Sequence, residues 1–179
     1  DSLDMRPVIL VMGGSQGSEL LNKALYASLK KLILQYKIIH LTGKATKVVP
    51  SIAGSYWTAP FVTDELGDLF AVADVVVSRA GANSIFEFYA LRLPMLLIPL
   101  EAGSRGDQVV NAQSFEEKGW AKVLKEKDLR KNQDLLCDKI DDLVASKKQI
   151  SHAFDGHKAA FSREIVEILE EYVPAELSR

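Results

Sequence analysis

A chain of 179 residues is long enough to bury one substantial core, and its 47% hydrophobic and 26% charged residues are ordinary for a globular protein. A net charge of −2 argues against a broad basic field for nucleic acid. One cysteine, Cys137, excludes an intrachain disulfide, and His40, His152 and His157 lack ligand spacing with it or with each other, so no metal site is expected; with no apolar run near ~20 residues and no signal peptide in view, the composition suits a cytosolic protein.

In chain order, residues 1–6 form a lead-in. Residues 8–12 are a run of buried-strand type, followed by the tight loop Gly13-Gly14-Ser15-Gln16-Gly17. Leu21, Ala24, Leu25, Leu29 and Leu32 then share one helical face, on a helix ending near Tyr36. A strand is expected over 37–41, a turn at Thr42-Gly43-Lys44, and a weaker helix on to Ala53. Residues 56–59 read as a strand closed by Pro60, and 64–73 as a short helix capped by Thr63 or Asp64.

The β-branched run Val75-Val76-Val77 feeds through Ala80-Gly81-Ala82 into a helix that ends before Pro94. Within it, Ser84 and Glu87 have the spacing of a capping box. Residues 95–98 are a strand stopped by Pro99, 101–106 a loop, and 107–118 a helix closed by Gly119. A short strand at 120–124 and helices at 132–146 and 156–172 complete the chain. Leu135, Leu136 and Ile140 place Cys137 on a buried helical face, as a structural thiol.

Alternation of strands and helices from start to finish predicts an α/β fold: a Rossmann-like parallel sheet with helices on both faces, in one domain. Within it, residues 1–6 are linker, 7–125 core and 126–179 C-terminal helices. Ligands of such sheets bind beyond the carboxyl ends of the strands.

Three loops at those ends carry the candidate chemistry. The Gly13–Gly17 loop is neither a Walker A loop nor a dinucleotide fingerprint, and a plain tight turn is its competing reading. Ser15 is the donor expected to meet a phosphate or sugar hydroxyl there, with Gly14 and Gln16 beside it. After Gly81, the amides of Ala82, Asn83 and Ser84 would face a diphosphate at a helix N-terminus, with Ile85 and Phe86 next in the same stretch. Glu87 is either a cap partner of Ser84 or a carboxylate for two vicinal ribose hydroxyls. In the third loop Asp107 reads as an N-cap, whereas Gln108 and Asn111 have the paired donors and acceptors that orient a sugar.

Taken together, Gly-Gly-Ser-Gln-Gly, Ser-Arg-Ala-Gly-Ala-Asn-Ser-Ile-x-Glu, Pro-x-Leu-Leu-Ile-Pro-Leu and Asp-Gln-x-x-Asn-Ala resemble the C-terminal half of the MurG family. Those enzymes are N-acetylglucosaminyltransferases that convert lipid I to lipid II in peptidoglycan synthesis. The resemblance runs from about Val8 to Leu124 and continues more weakly beyond. It implies the C-terminal half of a two-domain GT-B transferase, inverting and metal-independent, with UDP-N-acetylglucosamine as a substrate and no cofactor. By resemblance, Ser15 lies at the donor's phosphate and sugar, and Phe61 and Val62 at the uracil, with a backbone bond at Val62. The turn from Ala82 through Ser84 holds the diphosphate, Glu87 takes the ribose hydroxyls, and Gln108 contacts the N-acetylglucosamine. Asp107 departs from the Gln or His often found before that glutamine.

The family's N-terminal half is not in this sequence, so the general base and the lipid I site are expected elsewhere, and no catalytic residue is assigned here. The resemblance also implies a full-length protein peripheral on the cytoplasmic face of the bacterial membrane, with membrane contact mainly through that other half and no nucleic-acid partner. Two alternatives stay open: a natural half-protein that docks on a separate acceptor-domain partner, and another UDP-sugar enzyme of the same fold, such as a glycolipid glycosyltransferase.

Overall fold

Three consecutive fully buried aliphatics at Ile9-Leu10-Val11 and three more at Val75-Val76-Val77 suit interior strands of a sheet covered on both faces. The computed structural model, which describes residues 4–14, 16–44, 48–102 and 106–155, builds that sheet. Its elements are β1 (Val8–Met12), α1 (Glu19–Leu32), β2 (Lys37–Leu41), β3 (Tyr56–Ala59), α2 (Leu66–Val72), β4 (Val75–Ser78), α3 (Ala82–Ala90), β5 (Met95–Leu97), α4 (Asp107–Glu117), β6 (Ala121–Val123), α5 (Glu126–Lys131), α6 (Leu135–Ala145) and α7 (Lys147–Asp155). The strands lie in the order β3-β2-β1-β4-β5-β6, and every pair is parallel. The order is Rossmann-like, and the sheet is parallel as the alternation of elements predicts. The direction of travel reverses between β1 and β4, so right-handed crossovers send α1 and α3 to opposite faces.

The expected strands all form, the fifth and sixth slightly shortened. The face of α1 predicted from periodicity is the buried one, and Ser18 caps the helix by accepting from the Leu21 amide at 3.3 Å. Gly119, at φ 73°, closes α4. The amides of Gly119 and Trp120 return to the carbonyls of Glu116 and Phe115, and the Trp120 and Phe115 rings pack at 5.3 Å. Tyr89, Trp120 and Phe154 extend this cluster to α7, where the Trp120 indole donates to the Ala153 carbonyl. Cys137 is buried in α6, and burial pushes its thiol upward, which keeps it protonated and unreactive.

Several local expectations are corrected. Residues 48–53 form no helix. Pro50 and the β-branched Val48, Val49 and Ile52 disfavour one, and Ile52 instead makes an antiparallel bridge to Tyr56. Helix α2 begins at Leu66 with neither Thr63 nor Asp64 as cap. Helix α3 begins directly after Gly81, so Ser84 is its third residue and not its cap, and the Ser84–Glu87 capping box does not form. Asp107 is likewise inside α4, with Gly106 at φ 87° in the cap position, a conformation that suits glycine. Helices α5 and α7 were not anticipated, and α6 starts at Leu135. The helix expected over 156–172 lies outside the described residues, as does His157.

Candidate functional site

At the carboxyl ends of β1 and β4, where Met12 pairs with Ser78, two loops leave the sheet side by side. They open the crevice that a strand-order reversal creates. The first is the glycine loop. A side chain at Gly13 would place a Cβ 2.4 Å from the Ser18 nitrogen, so only glycine lets the chain turn into α1 there. Gly17 (φ 77°) and Gly43 (φ 66°) meet backbone to backbone, because a Cβ on Gly43 would lie 2.2 Å from the Gly17 Cα. These glycines therefore dock the first loop on the turn after β2. Gly14 has open space before it and Gln16 is exposed. Ser15, the donor expected in this loop, lies outside the described residues.

A buried polar relay fixes that docking. Asn22 of α1 donates to the Thr42 carbonyl at 2.9 Å. Its amide oxygen therefore faces His40 Nε2, also at 2.9 Å, which makes Nε2 the protonated nitrogen and leaves Nδ1 to accept from the Tyr56 hydroxyl at 2.9 Å. Burial lowers the His40 pKa to about 4 and raises that of Tyr56 to about 12, so both are neutral. The Thr42 and Gly43 amides in turn donate to the carbonyls of Ala59 and Pro60. This relay holds the segment carrying Phe61 and Val62 at the same rim. Phe61 is 69% exposed, and Val62 is half-buried against the core.

The second loop ends at Gly81, beyond which space is open. The first helical bond of α3 runs from the Ile85 amide to the Gly81 carbonyl, at 3.1 Å. The amides of Ala82, Asn83 and Ser84 precede that bond and form the positive end of the helix dipole. The Ile85 amide donates to the Gly81 carbonyl within the helix, and its side chain is fully buried in the core. Phe86 is 53% exposed and lays its ring edge against Phe115. Glu87 stands one helical turn beyond Asn83 on an exposed stripe, and its carboxylate has no partner among the described residues. Without a capping bond, that acceptor remains available.

The third loop is tied to the second. Asn111 donates to the Ala80 carbonyl at 3.2 Å, and the Gln108 side-chain oxygen accepts from the Leu100 amide at 3.0 Å. Both side chains expected to face a sugar thus hold backbone, and Gln108 keeps its NH2 group for a ligand. Asp107 is exposed in the first turn of α4. Arg79 donates to the Ile98 carbonyl and to Glu126, both at 3.0 Å. Sequence reasoning missed Glu126, which lies in the charged run Lys125-Glu126-Lys127-Asp128 that reads as a solvated surface. Among the described residues no cluster of three or more His, Cys, Asp or Glu side chains is placed to hold a metal ion.

The glycosyltransferase family 28 C-terminal domain matches this chain over residues 8–169. A UDP-N-acetylglucosamine–N-acetylmuramyl-(pentapeptide) pyrophosphoryl-undecaprenol N-acetylglucosamine transferase of Geobacillus kaustophilus is 55% identical over 127 residues, covering 69% of this chain and 35% of the relative. The Staphylococcus aureus (strain JH9) enzyme of the same name is 40% identical over 160 residues, covering 89% and 44%. The crystal structure of Acinetobacter baumannii MurG superposes with a TM-score of 0.69 at 22% identity, covering 84% of this chain and 44% of that one, which shows the shared fold. The chain therefore spans about 35–44% of the length of the curated relatives it matches. With the glycine loop, the α3 amides and the strand order of a GT-B nucleotide domain all in place, the chain belongs to the glycosyltransferase family 28 C-terminal domain family, in the form carried by MurG enzymes.

Proposed function

We propose that this chain is the donor-binding half of an inverting glycosyltransferase that moves N-acetylglucosamine from UDP-N-acetylglucosamine to lipid I, giving lipid II. The observation that carries the reading is the N-terminus of α3. Three amides precede the first helical bond at the switch point of the sheet, and Glu87, whose carboxylate has no partner among the described residues, stands one turn away. A diphosphate placed on the amides of Ala82, Asn83 and Ser84 puts its ribose hydroxyls within reach of Glu87. Phe61 and the Val62 backbone at the β3 exit suit the uracil, and Gly14 and Gln16 of the glycine loop suit the phosphate and sugar side, to which the resemblance also assigns Ser15. Gln108 offers its NH2 group to the sugar, and Asn111 holds the α3 turn in place.

Charge builds on the departing UDP as the glycosidic bond breaks. Fixed amides and a helix dipole aimed at that charge stabilise it electrostatically, with no metal and no cofactor in this half. The domain also positions the donor for attack. The acceptor site, the general base and the main membrane contact belong to the remainder of a full-length protein on the cytoplasmic face of the membrane. Among the described residues no helix is long and apolar enough to cross a membrane.

Isothermal titration of the chain with UDP-N-acetylglucosamine, UDP and GDP tests the reading. The expected result is binding of both uridine ligands in the presence of EDTA, with GDP markedly weaker. Equal binding of GDP, or a strict need for a divalent cation, would sink it.

A further inference from the structure

Glu126 is a charged side chain in a nearly dry place. It is 5% exposed, against 12% for the Arg79 side chain that it pairs with at 3.0 Å. Its second oxygen accepts from the Glu101 amide at 3.4 Å, and the mostly exposed Arg130 approaches the first at 3.1 Å. Burial alone would raise its pKa. The hydrogen bond and charge of Arg79 outweigh that and hold it below the usual glutamate value, so the carboxylate stays ionised. An ion pair this buried contributes little net stability compared with well-packed apolar groups, so stability alone does not account for it.

What it joins is more telling. Arg79 opens the turn that leads to the α3 amides, and its other branch grips the Ile98 carbonyl at the end of β5. Glu101 follows Leu100, whose amide orients Gln108. Glu126 on α5 therefore bridges the loop that would hold the diphosphate and the loop that would face the sugar. We infer that Glu126 is a positioning residue for the nucleotide-sugar donor, acting through the Arg79 guanidinium and the Glu101 amide to hold these two loops in register. The inference rests on the donor-domain reading above. A group shared by both loops affects the ligand parts that span them, the diphosphate and the sugar, and leaves the base and ribose contacts at Phe61, Val62 and Glu87 alone.

The test compares Glu126→Gln with the parent chain, titrating UDP-N-acetylglucosamine and UDP by calorimetry and uridine by NMR shift changes. The isosteric amide removes the charge and turns an NH2 group toward a guanidinium or an amide. Expected is a loss of about tenfold or more in affinity for UDP-N-acetylglucosamine, with uridine unchanged. Glu126→Asp keeps the charge but retracts it by one methylene, and it should show the same selective loss if Glu126→Gln melts too low to titrate. Arg130→Ala, which removes only the outer partner, should bind all three ligands as the parent does. Equal weakening of uridine and UDP-N-acetylglucosamine, or unchanged donor affinity in both Glu126 variants, would overturn the inference while leaving the donor-domain reading intact. A parent chain that binds none of the three ligands would overturn that reading, and this inference with it.

Discussion

At residue scale, Glu87 decides between two roles that the sequence leaves in competition. Helix α3 starts at Ala82, so no capping bond exists for Glu87 to lose. Its replacement by glutamine should leave the melting temperature nearly unchanged. As a ribose acceptor, the carboxylate makes charge-assisted hydrogen bonds worth roughly 1.5–3 kcal/mol, so Glu87→Gln should weaken UDP binding about ten- to hundredfold. Calorimetry with UDP gives the answer, and parent-like affinity would remove Glu87 from the site. His40 supports a second prediction at this scale. It faces Asn22 and Tyr56 through its nitrogens and the Tyr26 ring at 5.5 Å, and burial sets its folded pKa at about 4 against an ordinary 6.5. The unfolded chain therefore binds the extra proton first as pH falls. Stability from neutral His40 is fully present above pH 6.5 and is lost progressively toward pH 4, by up to about 3 kcal/mol. Denaturant titrations of the parent and His40→Gln from pH 7.5 to 4.5 should show a steeper fall in the parent.

Among the elements, the docking of the glycine loop on the β2 turn is the most exposed to failure. A Cβ at Gly17 would lie 2.5 Å from the Thr42 carbonyl oxygen, at a φ of 77° that L side chains rarely adopt. Gly17→Ala should destabilise the chain by about 1–3 kcal/mol and weaken UDP binding as well, since the loop must shift away from the crevice. Gly14, also at positive φ but with no atom within 4 Å, should give only the smaller backbone penalty when changed to Ala. Thermal melts of the two variants separate a packing requirement from a conformational one. The sequence placed both glycines in one loop. Their difference arises from Gly43, twenty-six positions after Gly17 along the chain, which no local pattern connects to it.

For the whole molecule, the sheet and its buried cluster run through every element from β1 to α7, so the chain should unfold in one cooperative transition. A molten, dye-binding species without near-UV signal would contradict this. Under the proposed division of labour, the chain alone binds the donor and transfers nothing. Incubation of the pure chain with lipid I and UDP-N-acetylglucosamine should yield no lipid II, and turnover would show that this half carries its own acceptor site and base.

The α/β class, the six strands and the loops that converge on the crevice are all written in local pattern. Apolar runs such as Val75-Val76-Val77, helical stripes such as Leu21 to Leu32 and turn glycines each act over a few residues. The tertiary structure decided what depends on distant partners. It packed the Ile85 side chain into the core, dissolved the Ser84–Glu87 capping box by starting α3 at Ala82, and turned Asn111 to the Ala80 carbonyl. It also turned Glu126 from an apparent surface charge into the hub of two loops, because its partner Arg79 lies 47 residues away. Local sequence encodes which backbone a segment prefers. Which polar group is left free for a ligand follows only once every neighbour has taken its hydrogen bonds.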